Sequence, residues 1–361
     1  MHSPNVNERV VVGMSGGVDS TAAVSLLRER GFDVVGVTLK LYCYARSAAA
    51  PRPCCSDALL RRARRFCAQS GIPHHVIDVE ADFSRLVVRR FVAEYRRGRT
   101  PNPCVVCNEL VKFPALARAA DLLGCGSIAT GHYARLVPGP RGAPLVAAAA
   151  DAAKDQSYFL YRLSPGVLRR TIFPLGDRTK RSAREIAART GYDAAGSRES
   201  QDVCFAPDGD VRRFLADRIG DRPGEVVDAA GRVLGRHRGV HTVTIGQRKG
   251  LGIAGGEPLY VAAIDAARNR IVLAPKEAVF HRGARCRSLR MRTRALDGPL
   301  AAKTRYRRSF SPVSEAALSR GVLEVRFVEP QWAVAPGQSL VLYRDGVVVG
   351  GGVIEEGIAE R

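Results

Sequence analysis

Apolar residues in the first two hundred positions follow two rhythms in turn. Val10, Val11 and Val12 form a short run of the kind that fills a buried strand. A glycine-containing turn follows, and Ala22, Ala23, Leu26 and Leu27 then recur at helical spacing until Gly31 closes the segment. The same reading predicts strands over 34–41, 74–79 and 127–134 and helices over 57–70 and 86–95. Within 57–70, Leu59, Ala63, Phe66 and Cys67 share one face and Arg61, Arg62, Arg64 and Arg65 the other, so this helix lies on the surface of something. Strands and helices alternating in this order predict an α/β domain whose parallel sheet is covered on both faces, with ligands at the carboxyl ends of its strands.

The rhythm changes after about Ser200. Residues 210–275 read as short strands and turns rich in glycine. From about 280 onward a period of two dominates, as in LEVRFV and SLVLYRDGVVVGGGVI, where Asp345-Gly346 signals a hairpin. With 361 residues the chain exceeds what a single core usually organises. The expected division is an α/β domain over 1–206, a small central β-rich domain over 207–278 and a C-terminal β-barrel over 279–361. There is no internal repeat, and the only low-complexity patches are alanine runs such as Ala147 to Ala150.

Composition narrows the class. A content of 46% hydrophobic and 25% charged residues is that of a soluble globular protein. No apolar run approaches the roughly 18 to 20 residues of a spanning helix, and MHSPNVNERVVVGM lacks the features of an export signal. A cytoplasmic protein without a membrane partner is expected. In that setting nine cysteines, an odd number spread widely, do not form a disulfide scaffold. Cys67 and Cys125 sit on apolar-patterned segments and read as inert core, and Cys54-Cys55 as a structural loop.

Charge adds a partner. There are 56 Lys+Arg against 35 Asp+Glu, a formal net charge of +21. Residues 281–310 hold ten lysines and arginines and one acidic residue, Asp297, a bias suited to a polyanion. Nucleic acid is the leading partner class.

Two short stretches carry chemistry. In S15-G-G-V-D-S20, between the first strand and first helix, Gly16 and Gly17 allow close backbone approach to phosphates, while the helix start offers free N–H groups and Ser15 and Ser20 their hydroxyls. It is not a Walker loop, because no lysine follows the glycines. It resembles the pyrophosphatase-type (PP-loop) turn of adenine-nucleotide α-hydrolase-like domains, which hold ATP, cleave it between the α and β phosphates and transfer AMP. The second stretch, TPNPCVVCNELVK (100–112), sets Cys104 and Cys107 three apart. A lone C-x-x-C fits metal ligands, a redox pair, a nucleophile with a neighbour, or a plain turn.

Further segments point one way. TPNPCVVCN (100–108), ATGHYAR (129–135), KDQSYFL (154–160), ESQDVCF (199–205), TIGQRKGLGI (244–253), KTRYRR (303–308) and AVAPGQ (333–338), in this order, resemble the tRNA-specific 2-thiouridylase family over essentially the whole chain. The resemblance implies an ATP-dependent enzyme that replaces O2 of the wobble uridine, position 34, with sulfur in tRNAs for lysine, glutamate and glutamine. AMP transfer to O2 turns a poor leaving group into a good one, and the incoming sulfur is the outer atom of a cysteine persulfide. By similarity Cys204 carries the persulfide and Cys107 is its catalytic partner. Gly13, Met14, Ser15, Gly16, Gly17, Val18, Asp19, Ser20, Leu39 and Gly131 resemble the ATP contacts, with Asp19 helping to place Mg2+. Asn102, Pro103 and Cys104 match the segment touching the flipped-out target base. His132, Lys154, Asp155, Gln156, Arg305, Tyr306 and Gln338 match tRNA contacts. A sulfur-donor protein, either a cysteine desulfurase or a persulfide relay carrier, and a monomeric state complete the implied picture.

Plainer readings stand beside these. His132 could cap a backbone group, Arg305 could be a solvated barrel edge, and Asp155 could pair with Lys154 or a nearby arginine. Many family members carry aspartate where this chain has Cys104. That substitution leaves Cys104, Cys107 and Cys204 as an alternative ligand set for a [4Fe–4S] cluster with one open iron. Another PP-loop tRNA-modifying adenylase, or an RNA-binding protein without catalysis, are the remaining alternatives.

Overall fold

The computed structural model describes residues 8–42, 55–191, 203–206, 209–253 and 257–359. The chain opens with β1 (Arg9–Gly13), α1 (Val18–Glu29), β2 (Asp33–Lys40), α2 (Cys55–Gln69) and β3 (His74–Asp78). A helical passage follows, α3 (Glu80–Phe83), a π-turn over Ser84–Val88 and α4 (Arg89–Arg96), so the helix expected at 86–95 begins six residues earlier. Next come α5 (Pro103–Cys107), a second π-turn over Asn108–Lys112 and α6 (Phe113–Leu122), without a break. β4 (Ser127–Thr130), the hairpin β5 (Arg135–Pro138) and β6 (Pro144–Ala147), α7 (Pro165–Arg169), β7 (Thr171–Ile172) and α8 (Lys180–Arg189) complete this half. The strand expected over 127–134 stops at Thr130.

β1 to β4 and β7 form one parallel sheet in the order β3-β2-β1-β4-β7. Val10, Val11 and Val12 are wholly buried at its centre, each side chain contributing roughly 1.5–3 kcal/mol by leaving water. Met14, Leu27, Val34, Phe66, Cys67 and Ile72 fill one side, α2 laying its predicted apolar stripe there. On the other, Ala22 and Leu26 of α1 meet Ala183 and Ile186 of α8. Cys67 and Cys125 are buried, as expected, and burial pushes the Cys67 thiol up to about 11. The side chains of Cys54 and Cys55 lie outside the described residues.

The second half contains α9 (Val211–Ile219), β8 (Gly224–Val227), β9 (Val233–His237), β10 (Tyr260–Asp265) and β11 (Arg270–Ala274), followed by β12 (Phe280–Met291), β13 (Leu300–Lys303), β14 (Ser311–Ser319), β15 (Val322–Trp332), β16 (Ser339–Arg344) and β17 (Val347–Ala359). α9 was not expected from the sequence. β8 to β11 make a four-stranded sheet in the order β10-β11-β8-β9. β12 to β17 close into a six-stranded barrel, in the order β12-β15-β14-β13-β16-β17, with β17 pairing back on β12. Its interior holds Ala284, Cys286, Leu323, Val325, Leu340, Leu342 and Ile354, the inward set of the period-two pattern.

The chain divides into two compact units that are not contiguous in sequence. One comprises 1–87, 104–201 and 346–348; the other 88–103, 202–345 and 349–361. In the second unit Phe91 of α4 packs on Phe205 and on Phe214 of α9, which ties the 88–103 excursion to residues far along the chain.

Candidate active site

The glycine turn lies where the sheet predicts a ligand. Between β1 and α1 the backbone reverses through Gly16, whose φ of +71° belongs to the left-handed region. A Cβ there would sit 2.1 Å from the Leu59 carbonyl oxygen, so position 16 tolerates only glycine. Met14 anchors the entry, its N–H donating to Val37 O and its carbonyl accepting from Thr38 Oγ1. Inside the turn Ser15 N–H donates to Ser20 Oγ at 3.3 Å, and the two hydroxyls lie 3.2 Å apart. Gly17 N-caps α1 without a side-chain partner for the helix N–H groups, the arrangement that favours an anion. Gly131, just after β4, lies against the turn, since a Cβ there would be 2.8 Å from the Asp19 carbonyl carbon. Leu39 is at the carboxyl end of β2. Gly13–Ser20 and Gly131 are thus gathered at adjacent strand ends.

A cation reaches this turn from elsewhere in the chain. Lys180, first residue of α8, sets its ammonium 2.7 and 2.8 Å from the two Asp19 carboxylate oxygens, and Tyr133 donates its hydroxyl to the same carboxylate at 2.8 Å. Lys180 is nearly covered, with 13% of its side chain exposed. Its backbone N–H donates to Asp151, and Thr179 caps the helix by accepting from Ser182 N–H. The loop that lacks a lysine in sequence therefore has one in space. Asp19, expected to help place magnesium, has both oxygens engaged.

The two neighbouring cysteines differ in environment. Cys107 ends α5 and is buried; burial raises its thiol above the ordinary range, opposed by the Lys112 charge and the Lys112 backbone N–H. Cys104 is solvent-accessible, yet loss of water around its sulfur pushes it up to about 11, again opposed by Lys112. Lys112 stands at the end of the π-turn, five residues after Cys107, in the wide turn that such an insertion makes. It makes no ion pair with a carboxylate among the described residues, since its neighbour Glu109 pairs with Arg162. Asn108, also in the π-turn, is buried and donates to the Phe159 carbonyl, while its Oδ1 is buried without a partner.

His132 faces the same cation. Its Nδ1 is 2.7 Å from Thr130 Oγ1, and its ring stacks on Phe113 at 5.8 Å and meets Phe173 edge-on. Burial and Lys112 hold it well below 6.5, so it is neutral at pH 7. It caps no backbone group with this nitrogen.

The other expected RNA contacts fall into two sets. In the first unit Asp155 is 3% exposed and accepts from Ala149 N–H, Ser157 N–H and Ser157 Oγ, so its carboxylate shapes the KDQS turn. Gln156 locks that turn to Tyr133, accepting from Tyr133 N–H and donating its own N–H to Tyr133 O. Lys154 is partly exposed beside them. In the second unit the Gln338 amide donates to Thr100 O and Pro336 O accepts from Thr100 N–H, so AVAPGQ grips the start of TPNPC. Asn102 and Pro103 are partly exposed there. Arg305 donates to the carbonyls of Ile245 and Ala333, beside a partly exposed Tyr306. Cys204 is exposed, next to Phe205, which is anchored among Phe91 and Phe214; residues 199–202 lie outside the described set. Among the described residues no three or more His, Cys, Asp or Glu side chains converge as metal ligands. Lys112, Lys180, Tyr133 and Asn108 were missed in the sequence, although Lys112 and Asn108 stand inside the stretch that carries the cysteines.

Known families match this layout. Residues 8–208 match the tRNA methyl transferase HUP domain, 212–275 the tRNA methyl transferase PRC-barrel domain and 283–354 the aminomethyltransferase beta-barrel domain. The chain is 44% identical over 363 aligned positions to the tRNA-specific 2-thiouridylase MnmA of Geobacter metallireducens, covering 98% of each. It is 45% identical to the protein of that name from Synechococcus sp., covering 96% of this chain and 94% of that one. Among solved structures, a 4-thiouridine synthetase–RNA complex with bound ATP aligns at 18% identity and a TM-score of 0.34, over 52% of this chain and 42% of that one, too weak a likeness to bear on function. With identity of this level along nearly its whole length, and a phosphate-loop domain followed by a β-rich segment and a closed barrel, the chain belongs to the tRNA-specific 2-thiouridylase family.

Proposed function

We propose that this protein is a tRNA-uridine 2-sulfurtransferase, which uses ATP to exchange O2 of uridine 34 for sulfur and releases AMP and diphosphate. The observation that carries the reading is the near-complete alignment with 2-thiouridylases, on a chain that keeps both the glycine turn and the cysteines of the expected chemistry.

In this reading the Gly13–Ser20 turn and the α1 N-terminus hold the ATP phosphates, and Lys180 turns from Asp19 to them. Because Asp19 is engaged by Lys180 and Tyr133, the loop as it stands does not offer a magnesium carboxylate, and no step is assigned to that ion. Uracil O2 attacks the α-phosphorus and diphosphate leaves. The outer sulfur of a Cys204 persulfide, loaded by a cysteine desulfurase or a relay carrier, attacks C2 and AMP departs with the oxygen. Cys107 thiolate then attacks the Cys204 sulfur; the S–S bond breaks, its electron pair goes to the transferred sulfur, and a Cys107–Cys204 disulfide remains for a thiol reductant to reopen. Lys112 favours the thiolate that this last step needs. Asn102, Pro103 and Cys104 meet the base, and His132, Lys154, Gln156, Arg305, Tyr306 and Gln338 meet the RNA or hold the loops that do. The working division of the chain is 1–206 for catalysis, 207–278 and 279–361 for RNA, acting as a monomer.

Family membership favours this route over an iron–sulfur cluster on Cys104, Cys107 and Cys204. The deciding experiment is nucleoside mass spectrometry of unmodified glutamate tRNA after incubation with metal-stripped protein, ATP, magnesium, a cysteine desulfurase and cysteine. Formation of 2-thiouridine at position 34 is expected. Activity only after iron and sulfide are restored would replace the persulfide route by the cluster, and no product under either condition would reject the substrate.

A further inference from the structure

The barrel carries a cavity that the chemistry above does not use. Its volume is about 620 Å3, in the range of small-ligand pockets. Leu289, Met291 and Leu318 form an apolar floor continuous with the barrel core. Arg292, Arg294 and Arg320 stand in its wall, and among the described residues no acidic one lines it. Among the described residues, neither Arg294 nor Arg320 has a carboxylate within ion-pair distance. Within β12, by contrast, Arg285 is neutralised by Glu324 and Glu356, and Arg287 by Glu355.

The backbone is shaped to make this wall. β12 shifts register against β17 between Arg287 and Arg290, with Ser288 at φ +49°. Leu289 and Met291 then lie over Gly352 and Gly350, where any Cβ would come within 2.5 and 2.6 Å of them. Arg320 and Gly321 are the two residues of the β14–β15 hairpin, both at positive φ, +48° and +76°. Asn-Gly is the natural pair for such a turn, so an arginine at the first position adopts a backbone that it enters reluctantly. Burial and the adjacent Arg290 both act against the charge on Arg292, a cost that a bound anion relieves.

We infer that this barrel cavity is a second RNA subsite, in which a nucleotide lays its apolar ring or ribose on Leu289, Met291 and Leu318 and its phosphate between Arg292, Arg294 and Arg320. A phosphate alone would not use the floor, and an apolar ligand would not use the arginines. The inference rests on the reading of tRNA as substrate, and assigns to the barrel a hold on the RNA separate from the residues assigned to the chemistry.

The test is equilibrium binding of full-length unmodified tRNA across a KCl series, with ATP absent, for the wild type, Arg292→Gln/Arg294→Gln and Arg320→Asn. The double variant should weaken binding about tenfold and flatten the slope of log K against log salt by about one to two, the change for losing one or two phosphate contacts. Arg320→Asn should raise the melting temperature while weakening tRNA binding, opposite signs that a purely structural arginine would not give. Thiolation at saturating tRNA should be unchanged in both. Unaltered affinity and slope would overturn the subsite. Loss of AMP binding with tRNA binding intact would also overturn it, making the cavity a free-nucleotide site. Failure of the wild type to bind tRNA would instead reject the substrate reading.

Discussion

At the scale of single residues the phosphate turn holds its own counter-charges in reserve. Asp19 and Lys180 neutralise each other where a polyphosphate is proposed to bind. Lys180→Met is expected to weaken ATP binding about tenfold, the loss of one charge-assisted contact, whereas Asp19→Asn should retain it because the lysine is freed. Isothermal titration without tRNA checks both; equal losses would show that the pair only braces the loop. At the cysteines, Cys107→Ala should abolish 2-thiouridine formation and Cys104→Ala should leave part of it, with no change in iron content. Both are read from nucleoside mass spectrometry and metal analysis. How much of this was legible follows from distance along the chain. The glycine turn and C-x-x-C are local patterns, so the sequence displays them. Lys180 is 161 residues from Asp19, and only the packing of α8 on α1 brings it there. Arg305 and Asp155 were readable as polar residues, but their carbonyl and amide partners depend on loops whose course no spacing encodes.

At the scale of elements, helix signals failed where charge diluted them. α9 buries only Phe214 and Leu215, and Arg212, Arg213, Asp217 and Arg218 surround them, so its period was lost among polar residues. The helix at 86–95 was found but entered late, because the π-turn at Ser84–Val88 breaks the 3.6-residue phase on which the reading depends. The strand predicted to reach Ala134 stops at Thr130, freeing Gly131 to lie against Asp19 and Tyr133 to bond it. One element has no tolerance. Gly16→Ala places a methyl group 2.1 Å from Leu59 O at a left-handed φ, and should cost about 1–3 kcal/mol while abolishing ATP binding. Thermal denaturation with and without ATP measures both.

At the scale of the molecule, buried and half-buried histidines set an acid limit. His74, His132, His237, His241 and His281 all lie below 6.5, in each case chiefly because burial disfavours the imidazolium. The folded state therefore binds fewer protons than the unfolded chain below that pH. This stability is complete above about pH 6.5 and is lost as pH falls through the unfolded value. Melting temperature should hold from pH 8 to 7 and drop progressively between pH 6.5 and 5; a flat profile by differential scanning fluorimetry would contradict the assignment. The barrel adds a constraint of another kind. Its first strand, β12, is completed by β17, the last of its strands in chain order. Because a ribosome delivers the strands in that order, β12 waits for this partner until the other four have emerged. In the interval the nascent barrel exposes an open edge along β12, so a polypeptide stalled before β17 is the form that a cell's quality-control machinery should find first.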